Sequence, residues 1–258
     1  MALGVTRVGD GQREVVLLHG FLGSRRNLLS LARSVGALRP DLTLRVLDLP
    51  GHGEAPPLAP GADLDTLARA VLDELGGAQV TIVGHSLGGR VGLAAHLLAP
   101  DVVPRVLLLD IAPGPITLPA LASGRVLEAL LRAPAVAESV GLMRAALIDA
   151  GLESALVEWL LMSLTRTPGR VGWRIDRAAL AALHPVVNAR DLWRAVEGGR
   201  LATACLRGSA SPYVSAADSA RLEAAGCPVT TLAGAGHFVH VDAPHDVADF
   251  VARQVTQG

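Results

Sequence analysis

Residues 80–98 read VTIVGHSLGGRVGLAAHLL, and this stretch decides the architecture of the chain. The apolar run Val80–Val83 meets the turn Gly84-His-Ser-Leu-Gly88, and the helical pattern Leu87–Leu98 follows at once. A serine on such a strand-to-helix turn takes a strained backbone conformation, and flanking glycines prevent clashes between the strand and the helix. The turn also sets the free amides of a helix N-terminus beneath the hydroxyl group. We therefore predict that Ser86 is a nucleophile.

Similar apolar runs alternate with helical patterns along the chain, which is typical of a parallel sheet built from βαβ units. The runs are nearly continuous in apolar residues, as expected for strands that helices cover on both faces. Helices are predicted at Asn27–Val35 and Asp63–Leu75. Further strands are predicted at Val15–Leu18, Leu42–Leu49, Val106–Leu109, Leu201–Leu206 and Val229–Leu232.

The interval from Gly114 to Gly199 contains no convincing strand pattern. A single crossover between parallel strands needs far fewer residues, so this interval is interpreted as an insertion. We predict a helical lid of residues 115–198 over a core of residues 1–114 and 199–258. Its predicted helices are Leu118–Arg132, Val136–Ala150, Glu153–Arg166 and Asp176–Leu183, with breaks at Pro134, Gly151, Pro168–Gly169 and Pro185.

Two glycine-containing turns supply what a serine nucleophile needs. His237 follows the last predicted strand in a glycine-rich loop, and a neutral imidazole can accept the proton of the serine. His240 is the alternative base. The turn His19-Gly-Phe21 follows the first predicted strand, and the amide of Phe21, together with that of Leu87, would hold an oxyanion. His19 itself suits the role of an organiser of this turn better than that of a base.

Four ordered motifs resemble those of the α/β-hydrolase superfamily: His19-Gly-Phe, Asp48-Leu-Pro-Gly-His-Gly53, Gly84-His-Ser-Leu-Gly-Gly89 and Gly236-His237. The resemblance covers nearly the whole chain outside the predicted lid. It implies an α/β fold with a mostly parallel, twisted sheet flanked by helices, a catalytic triad and an oxyanion hole. Epoxide hydrolases and haloalkane dehalogenases share the fold but need a nucleophilic carboxylate at position 86, so they are excluded.

The acid of the triad departs from the pattern of most of the superfamily. Ser211 stands where the resemblance places an aspartate after the lid. Asp110 ends the strand that follows the nucleophile helix, at the carboxyl edge of the predicted sheet. The stretch Asp110-Ile-Ala-Pro113 looks like a subgroup of small bacterial esterases that take their acid from this strand. We therefore assign Asp110 as the acid, and Asp218 is the next choice.

The leading hypothesis is a serine carboxylesterase that hydrolyses small-molecule acyl esters through an acyl-enzyme intermediate. Apolar side chains of the lid would form walls for an acyl chain. Residues predicted to contact the substrate are Arg90, Trp159, Trp173 and Tyr213.

Two alternatives stay open at this point. The menaquinone-pathway synthase of the same fold, a lyase that eliminates pyruvate, carries a similar HGFLGS turn and an arginine at the spacing of Arg90. That enzyme uses the late aspartate that Ser211 replaces here. Arg90 also fits a solvated or ion-paired helix position. The second alternative is a non-catalytic, ligand-binding hydrolase fold, which the intact Ser86 and His237 disfavour.

Composition limits the partners of the chain. The formal net charge is −1 and both signs are scattered, which argues against nucleic acid or an anionic membrane surface as a partner. No apolar run is long enough for a membrane span, and no secretory signal pattern is recognised, so a cytoplasmic location is expected. Cys205 and Cys227 are predicted to be buried, reduced thiols. No cofactor or metal motif is recognised, and a homodimer is left open.

Overall fold

The computed structural model describes residues 2–116 and 122–255. The strands of these residues are numbered in chain order. They are β1 (Val5–Val8), β2 (Arg13–Leu18), β3 (Leu42–Leu47), β4 (Thr81–His85), β5 (Arg105–Leu109), β6 (Val136–Ala137), β7 (Leu164–Thr167), β8 (Arg170–Trp173), β9 (Ala202–Gly208) and β10 (Val229–Leu232).

The helices of the described residues follow the same numbering. A 3₁₀ turn at Arg25–Leu28 leads into the first of them. They are α1 (Leu29–Leu38), α2 (Leu64–Leu75), α3 (Leu87–Leu98), α4 (Ala122–Arg132), α5 (Val140–Asp149), α6 (Ser154–Leu161), α7 (Arg177–Ala189), α8 (Trp193–Glu197), α9 (Ala216–Ala224), α10 (Val239–Asp242) and α11 (Pro244–Gln254). None of these described helices is both long and apolar enough to cross a membrane.

The main sheet has seven strands in the order β1-β3-β2-β4-β5-β9-β10, and only β1 runs antiparallel to its neighbour. The prediction of an α/β fold with a mostly parallel sheet flanked by helices is confirmed. The edge strand β1, with the sequence Val-Thr-Arg-Val, was not predicted.

Side-chain alternation along the strands divides the core between the two faces of the sheet. Val16 and Leu18 of β2 pack in one apolar cluster with residues of α2 and α3. Val15 and Leu17 pack in a second cluster with residues of α1 and α11. Cys205 and Cys227 are buried free thiols, as predicted.

The order of the strands positions the motifs. Gly84 of β4 pairs with Leu18 of β2 on one side and with Leu108 of β5 on the other. The carboxyl ends of these three strands therefore lie side by side. The turn after β2, the turn after β4 and Asp110 after β5 meet at one edge of the sheet.

The segment between β5 and β9 corrects one prediction. We expected no strand between Gly114 and Gly199, but β6, β7 and β8 form a second, antiparallel sheet in the order β6-β8-β7. Pro168–Gly169 is the turn of the β7–β8 hairpin, with Gly169 at a φ of 70°, and not a break between helices. The start of the predicted helix Leu118–Arg132 lies outside the described residues.

A second correction concerns Pro185. This proline was predicted to break a helix, but it lies inside α7, which continues to Ala189. A proline removes one helical hydrogen bond, and contacts from elsewhere must offset that loss. Arg90 of α3 binds the end of this helix, since its Nε donates to the carbonyl of Val187 over 3.1 Å and its guanidinium also reaches the carbonyl of Arg190.

Candidate active site

Ser86 occupies the tight turn between β4 and α3, with φ 52° and ψ −116°. A non-glycine residue in this region costs on the order of 1–3 kcal/mol, so the surrounding packing must impose it. A Cβ atom at Gly84 would lie 2.2 Å from the amide nitrogen of Gly89, and one at Gly88 would lie 2.2 Å from the carbonyl oxygen of Leu18. Only glycine fits at either position. The strand and the helix therefore approach closely enough to force Ser86 outward.

Asp110 lies fully buried at the end of β5 and also has a positive φ, of 54°. Its Oδ1 accepts a hydrogen bond of 2.8 Å from the amide of Gly208. Its Oδ2 accepts one of 2.7 Å from Nδ1 of His237 and another from the hydroxyl of Ser211. Because an ionised carboxylate only accepts, His237 carries its proton on Nδ1. In the neutral ring, Nε2 is then free to accept a proton.

Ser211 thus contacts Asp110. It does so from the position at which most of the superfamily would carry the aspartate of the triad. Its hydroxyl donates to Oδ2 of Asp110 and accepts a bond from the amide of Tyr213 over 3.3 Å. Sequence analysis noted the missing aspartate but missed this contact. No local pattern could have revealed it, because 101 residues separate the two side chains.

Three other carboxylates, of Asp218, Asp242 and Asp48, accept hydrogen bonds from nearby backbone amides or hydroxyls. Asp218 caps α9 and accepts bonds of 3.0 and 2.6 Å from the amide and the hydroxyl of Ser215. Asp242 accepts the amide of Gly236 over 2.8 Å, and Asp48 accepts the amide of Glu54 over 2.8 Å. Within the described part of the chain, Asp110 is the carboxylate that contacts the ring of His237.

The His237 ring is held between aromatic neighbours. Tyr213 stacks on it with ring centroids 3.8 Å apart and planes 22° apart. Nε2 of His85 donates to the backbone carbonyl of His237 over 2.8 Å, and burial lowers the pKa of His85 well below its usual value. His240, the alternative base, packs against the His85 ring, and burial lowers its pKa to about 4.

Two buried histidines hold the turn that carries Phe21. Nδ1 of His19 donates to the carbonyl of Gly20 over 2.8 Å, and its Nε2 accepts the amide of Leu49 over 3.0 Å. Nε2 of His52 accepts the amide of Leu22, whose φ is 63°, over 3.1 Å. Burial lowers the pKa of His19 to about 4 and that of His52 to about 3, so both rings are neutral at neutral pH.

The organising role predicted for His19 agrees with these bonds, whereas the role of His52 was missed. Its signal was the Asp48-Leu-Pro-Gly-His-Gly53 motif, which supported the family resemblance but gave His52 no role of its own. Phe21 lies within this braced turn, and Leu87 is the first residue of α3. The amides of the first helical turn have no partner inside the helix.

Ser86 and His237 border a cavity of about 120 Å³, called the large cavity below. Apart from Ser86, His237 and their neighbours His85 and Tyr213, its described walls are apolar. Val126, Leu156 and Trp159 come from the segment between β5 and β9, and the Trp159 ring lies 5.4 Å from that of Phe238. The described lining is Gly20, Phe21, Leu22, His85, Ser86, Val126, Leu156, Trp159, Tyr213, His237 and Phe238.

The four residues predicted to contact the substrate lie in different surroundings. Trp159 and Tyr213 border the large cavity. Trp173 does not figure among the described residues that line it, and its Nε1 donates to the carbonyl of Pro134 over 2.8 Å. The geometry therefore gives a substrate contact of Trp173 no support.

Arg90 is buried, and its hydrogen bonds go to backbone carbonyls and not to a carboxylate. The side chain is 1 % exposed and donates to the carbonyls of Ala112, Gly114, Val187 and Arg190. Burial lowers its pKa to about 10, which leaves it a cation at neutral pH. Arg90 borders a smaller cavity beside Ser86, but its donors tie α3 to both ends of the segment between β5 and β9. The four carbonyl bonds favour an anchoring role over a substrate contact.

Comparisons with known proteins identify the family of the chain. The profile of the Alpha/beta hydrolase family matches residues 15–250. The chain belongs to this family. It is 31% identical over 248 residues to the sn-1-specific diacylglycerol lipase ABHD11 of Mus musculus, covering 92% of this chain and 79% of that protein. It is 29% identical to Esterase YbfF of Escherichia coli, covering 93% and 91% of the two chains.

A solved structure supports the same fold. The marine microorganism esterase superposes with a TM-score of 0.85 at 21% identity, covering 98% of each chain. The α/β-hydrolase fold expected from the motifs is therefore confirmed. No three His, Cys, Asp or Glu side chains converge as a metal site within residues 2–116 and 122–255.

Proposed function

We propose that this α/β hydrolase is a serine carboxylesterase in which Ser86 is the nucleophile, His237 the base and Asp110 the acid. One observation carries the proposal: Asp110 binds Nδ1 of His237 over 2.7 Å, while Ser86 and His237 border the same cavity. That arrangement leaves Nε2 of His237 as the basic atom on the side of the nucleophile. Such a base and its orienting acid are what an unactivated serine hydroxyl requires.

In the proposed mechanism, Oγ of Ser86 attacks the ester carbonyl carbon and its proton passes to Nε2 of His237. The amides of Phe21 and Leu87 donate to the oxyanion of the tetrahedral intermediate, where one such donor is worth about 3–4 kcal/mol. When the intermediate collapses, the alcohol leaves with the proton from His237. Water then attacks the acyl-enzyme by the same route, which releases the carboxylic acid and restores the Ser86 hydroxyl.

Residues 115–198 act as the lid in this proposal. They contribute Val126, Leu156 and Trp159 to the walls of the large cavity, which suits an apolar group of the substrate. The apolar lining and the esterase and lipase names of the relatives both support an ester of a small apolar molecule. A cytoplasmic location stays a prediction from the sequence.

Neither alternative gains a supporting observation. The synthase hypothesis rested on Arg90, whose guanidinium is engaged by four backbone carbonyls. It also required a late aspartate, and Ser211 occupies that position and donates to Asp110. A non-catalytic binding protein has no need of a buried carboxylate bonded to the imidazole beside Ser86.

The test is the substitution of Ser86 by alanine. Ser86→Ala is expected to abolish both the hydrolysis of p-nitrophenyl esters, from acetate to laurate, and covalent labelling by a fluorophosphonate. The matched control is Ser30→Ala, because Ser30 is exposed on α1 and should not change either readout. Hydrolysis by Ser86→Ala at the wild-type rate would refute the proposal, provided that both variants show the wild-type unfolding temperature.

A further inference from the structure

Two cavities meet at Ser86 and differ in chemistry. The large cavity has Ser86, His85, His237 and Tyr213 as the polar side chains of its described lining, so its outer walls are apolar. The second cavity, of about 30 Å³, lies between α3 and α7 and is called the small cavity below. Phe21, Ser86 and Tyr213 border both. An ester bound at Ser86 therefore has an apolar space on one side and a small space on the other.

The small cavity carries a polar pair that the proposed mechanism does not use. His184 and Asn188 lie one turn apart on α7, and both border the cavity. Nδ2 of Asn188 lies 3.1 Å from Nε2 of His184. Because an amide nitrogen only donates, Nε2 of His184 is the acceptor.

The bond from Asn188 fixes the tautomer of His184. Burial lowers the pKa of His184, so the ring is neutral at neutral pH. A neutral ring that accepts at Nε2 carries its proton on Nδ1. None of the described residues accepts a hydrogen bond from this Nδ1. The ring packs against Phe21, with centroids 4.8 Å apart, and so lies at the edge of the site.

Arg90 holds the backbone around His184 and Asn188 in place and does not bond to either side chain. Its guanidinium binds the carbonyls of Val187 and Arg190, which lie beside Asn188 at the end of α7. The amide of Ile116 binds the carbonyl of Asn188 itself over 2.9 Å. The backbone around the pair is thus tied to α3 and to the start of the insertion, while the side chain of His184 keeps a donor to offer.

We propose that His184 and Asn188 select esters whose short side carries a hydroxyl group, while the large cavity receives the apolar side. The inference rests on the proposed esterase function and specifies its substrate class. The small cavity, of about 30 Å³, has room for a short group only. The hydroxyl oxygen accepts the hydrogen bond from Nδ1 of His184.

Two pairs of esters of matched shape test the proposal. The first pair places the hydroxyl on the alcohol: 2-hydroxyethyl hexanoate against propyl hexanoate. The second places it on the acid: hexyl glycolate against hexyl propanoate. A neutral hydrogen bond of ordinary strength predicts a kcat/KM that is about three- to tenfold higher for the hydroxylated member of one pair. The pair that shows the preference identifies which side of the ester enters the small cavity.

Variants then assign the preference to the pair. His184→Leu removes the donor and Asn188→Leu removes the bond that fixes its tautomer, so each should reduce the ratio to about one. Because the ratio compares two substrates of one enzyme preparation, a partial loss of folded protein does not change it. Trp159→Leu is the control, since it should alter the preference for hexanoate over acetate esters and leave the hydroxyl ratio unchanged.

The outcomes separate this inference from the proposed function. A wild-type ratio near one for both pairs overturns the inference, and so does a ratio that survives in both α7 variants. If Ser86 is still labelled by a fluorophosphonate and needed for hydrolysis in that case, the esterase proposal stands and only the substrate class fails. If no ester is hydrolysed in a Ser86-dependent way, the proposed function itself fails.

Discussion

The carboxyl edge of the main sheet and the segment inserted between β5 and β9 are built in different ways. At the sheet edge, Ser86 and Asp110 sit directly after their strands, both with positive φ, in turns where backbone packs on backbone. In the insertion, helices and a small sheet offer side chains such as Trp159 to the cavity and are held to the core by Arg90. The placement of Ser86 and Asp110 therefore depends on local turns, whereas the shape of the cavity depends on contacts between distant segments.

Removal of the acid should give the largest effect at the sheet edge. Asp110→Asn keeps the shape of the side chain but removes its charge and allows the wrong tautomer of His237. The equivalent change in a serine protease lowers turnover about 10⁴-fold, and we expect a loss approaching this value in kcat for p-nitrophenyl esters. Asp218→Asn is the matched control and should retain the wild-type kcat. An equal loss in both variants would contradict the assignment of Asp110.

The double variant Asp110→Asn with Ser211→Asp sharpens the same prediction. The Ser211 hydroxyl and Nδ1 of His237 both bind Oδ2 of Asp110, so a carboxylate at position 211 starts close to the imidazole. Part of the lost kcat should return. No recovery, with the protein folded, would mean that the carboxylate must approach from β5.

The same contrast explains what could be predicted from the sequence. Gly84, Ser86 and Gly88 lie within five consecutive residues, so their motif predicted strand, turn, helix and nucleophile together. The strands of the main sheet other than β1 were likewise found from continuous apolar runs. These features depend on neighbours along the chain.

Features that depend on distant contacts were missed. Pro185 lies inside α7, whose end is bound by Arg90 from another helix through the carbonyls of Val187 and Arg190. The small sheet of the insertion escaped prediction because β6 has only two residues and Pro168–Gly169 resembled a helix break. The roles of His52 and Ser211 require partners 30 and 101 residues away. Periodicity carries no information about such pairs.

The tight packing at the sheet edge predicts unequal costs for two glycine substitutions. A Cβ atom at Gly88 would lie 2.2 Å from the carbonyl of Leu18, whereas one at Gly124 of α4 meets nothing within 4 Å. Gly88→Ala should lower the free energy of unfolding by about 3 kcal/mol or more, because β2 and α3 must separate. Gly124→Ala should raise it by up to about 1 kcal/mol. Urea unfolding measures both, and similar values for the two would contradict this comparison.

The anchor of the insertion predicts a smaller and different effect. Arg90→Met leaves the carbonyls of Ala112, Gly114, Val187 and Arg190 without their common donor, which should cost about 2 kcal/mol in unfolding free energy. Labelling of Ser86 by a fluorophosphonate should persist, since β4 and α3 are unchanged, while kcat/KM falls for long-chain esters. Arg144→Met is the control, because its pair with Glu158 is exposed and solvent-screened, so the substitution should hardly change the unfolding free energy. Loss of labelling in Arg90→Met would instead place the anchor in the chemistry.

The last expected effect is a pH dependence of stability that belongs to the core and not to the insertion. Burial lowers the pKa of His19 to about 4 and that of His52 to about 3, whereas a histidine in the unfolded chain titrates near 6.5. Above pH 6.5 both states bind the same number of protons at these rings. Below pH 6.5, these histidines bind protons in the unfolded chain but not in the native chain. The free energy of unfolding therefore falls as the pH decreases towards 4.

Each such histidine lowers the free energy of unfolding by up to about 1.4 kcal/mol for each unit by which the pH decreases in this window. His52→Asn should therefore flatten the decline in unfolding free energy between pH 7 and pH 5, as measured from urea midpoints. The substitution also removes the bond to the amide of Leu22, so the variant is less stable at every pH, and the difference between the two pH values is the quantity to compare. His184→Leu on α7 should change that difference less, because the His184 ring is only partly buried. A steeper decline in His52→Asn than in the wild type would show that the buried rings of the turn are not the groups that destabilise the core in acid.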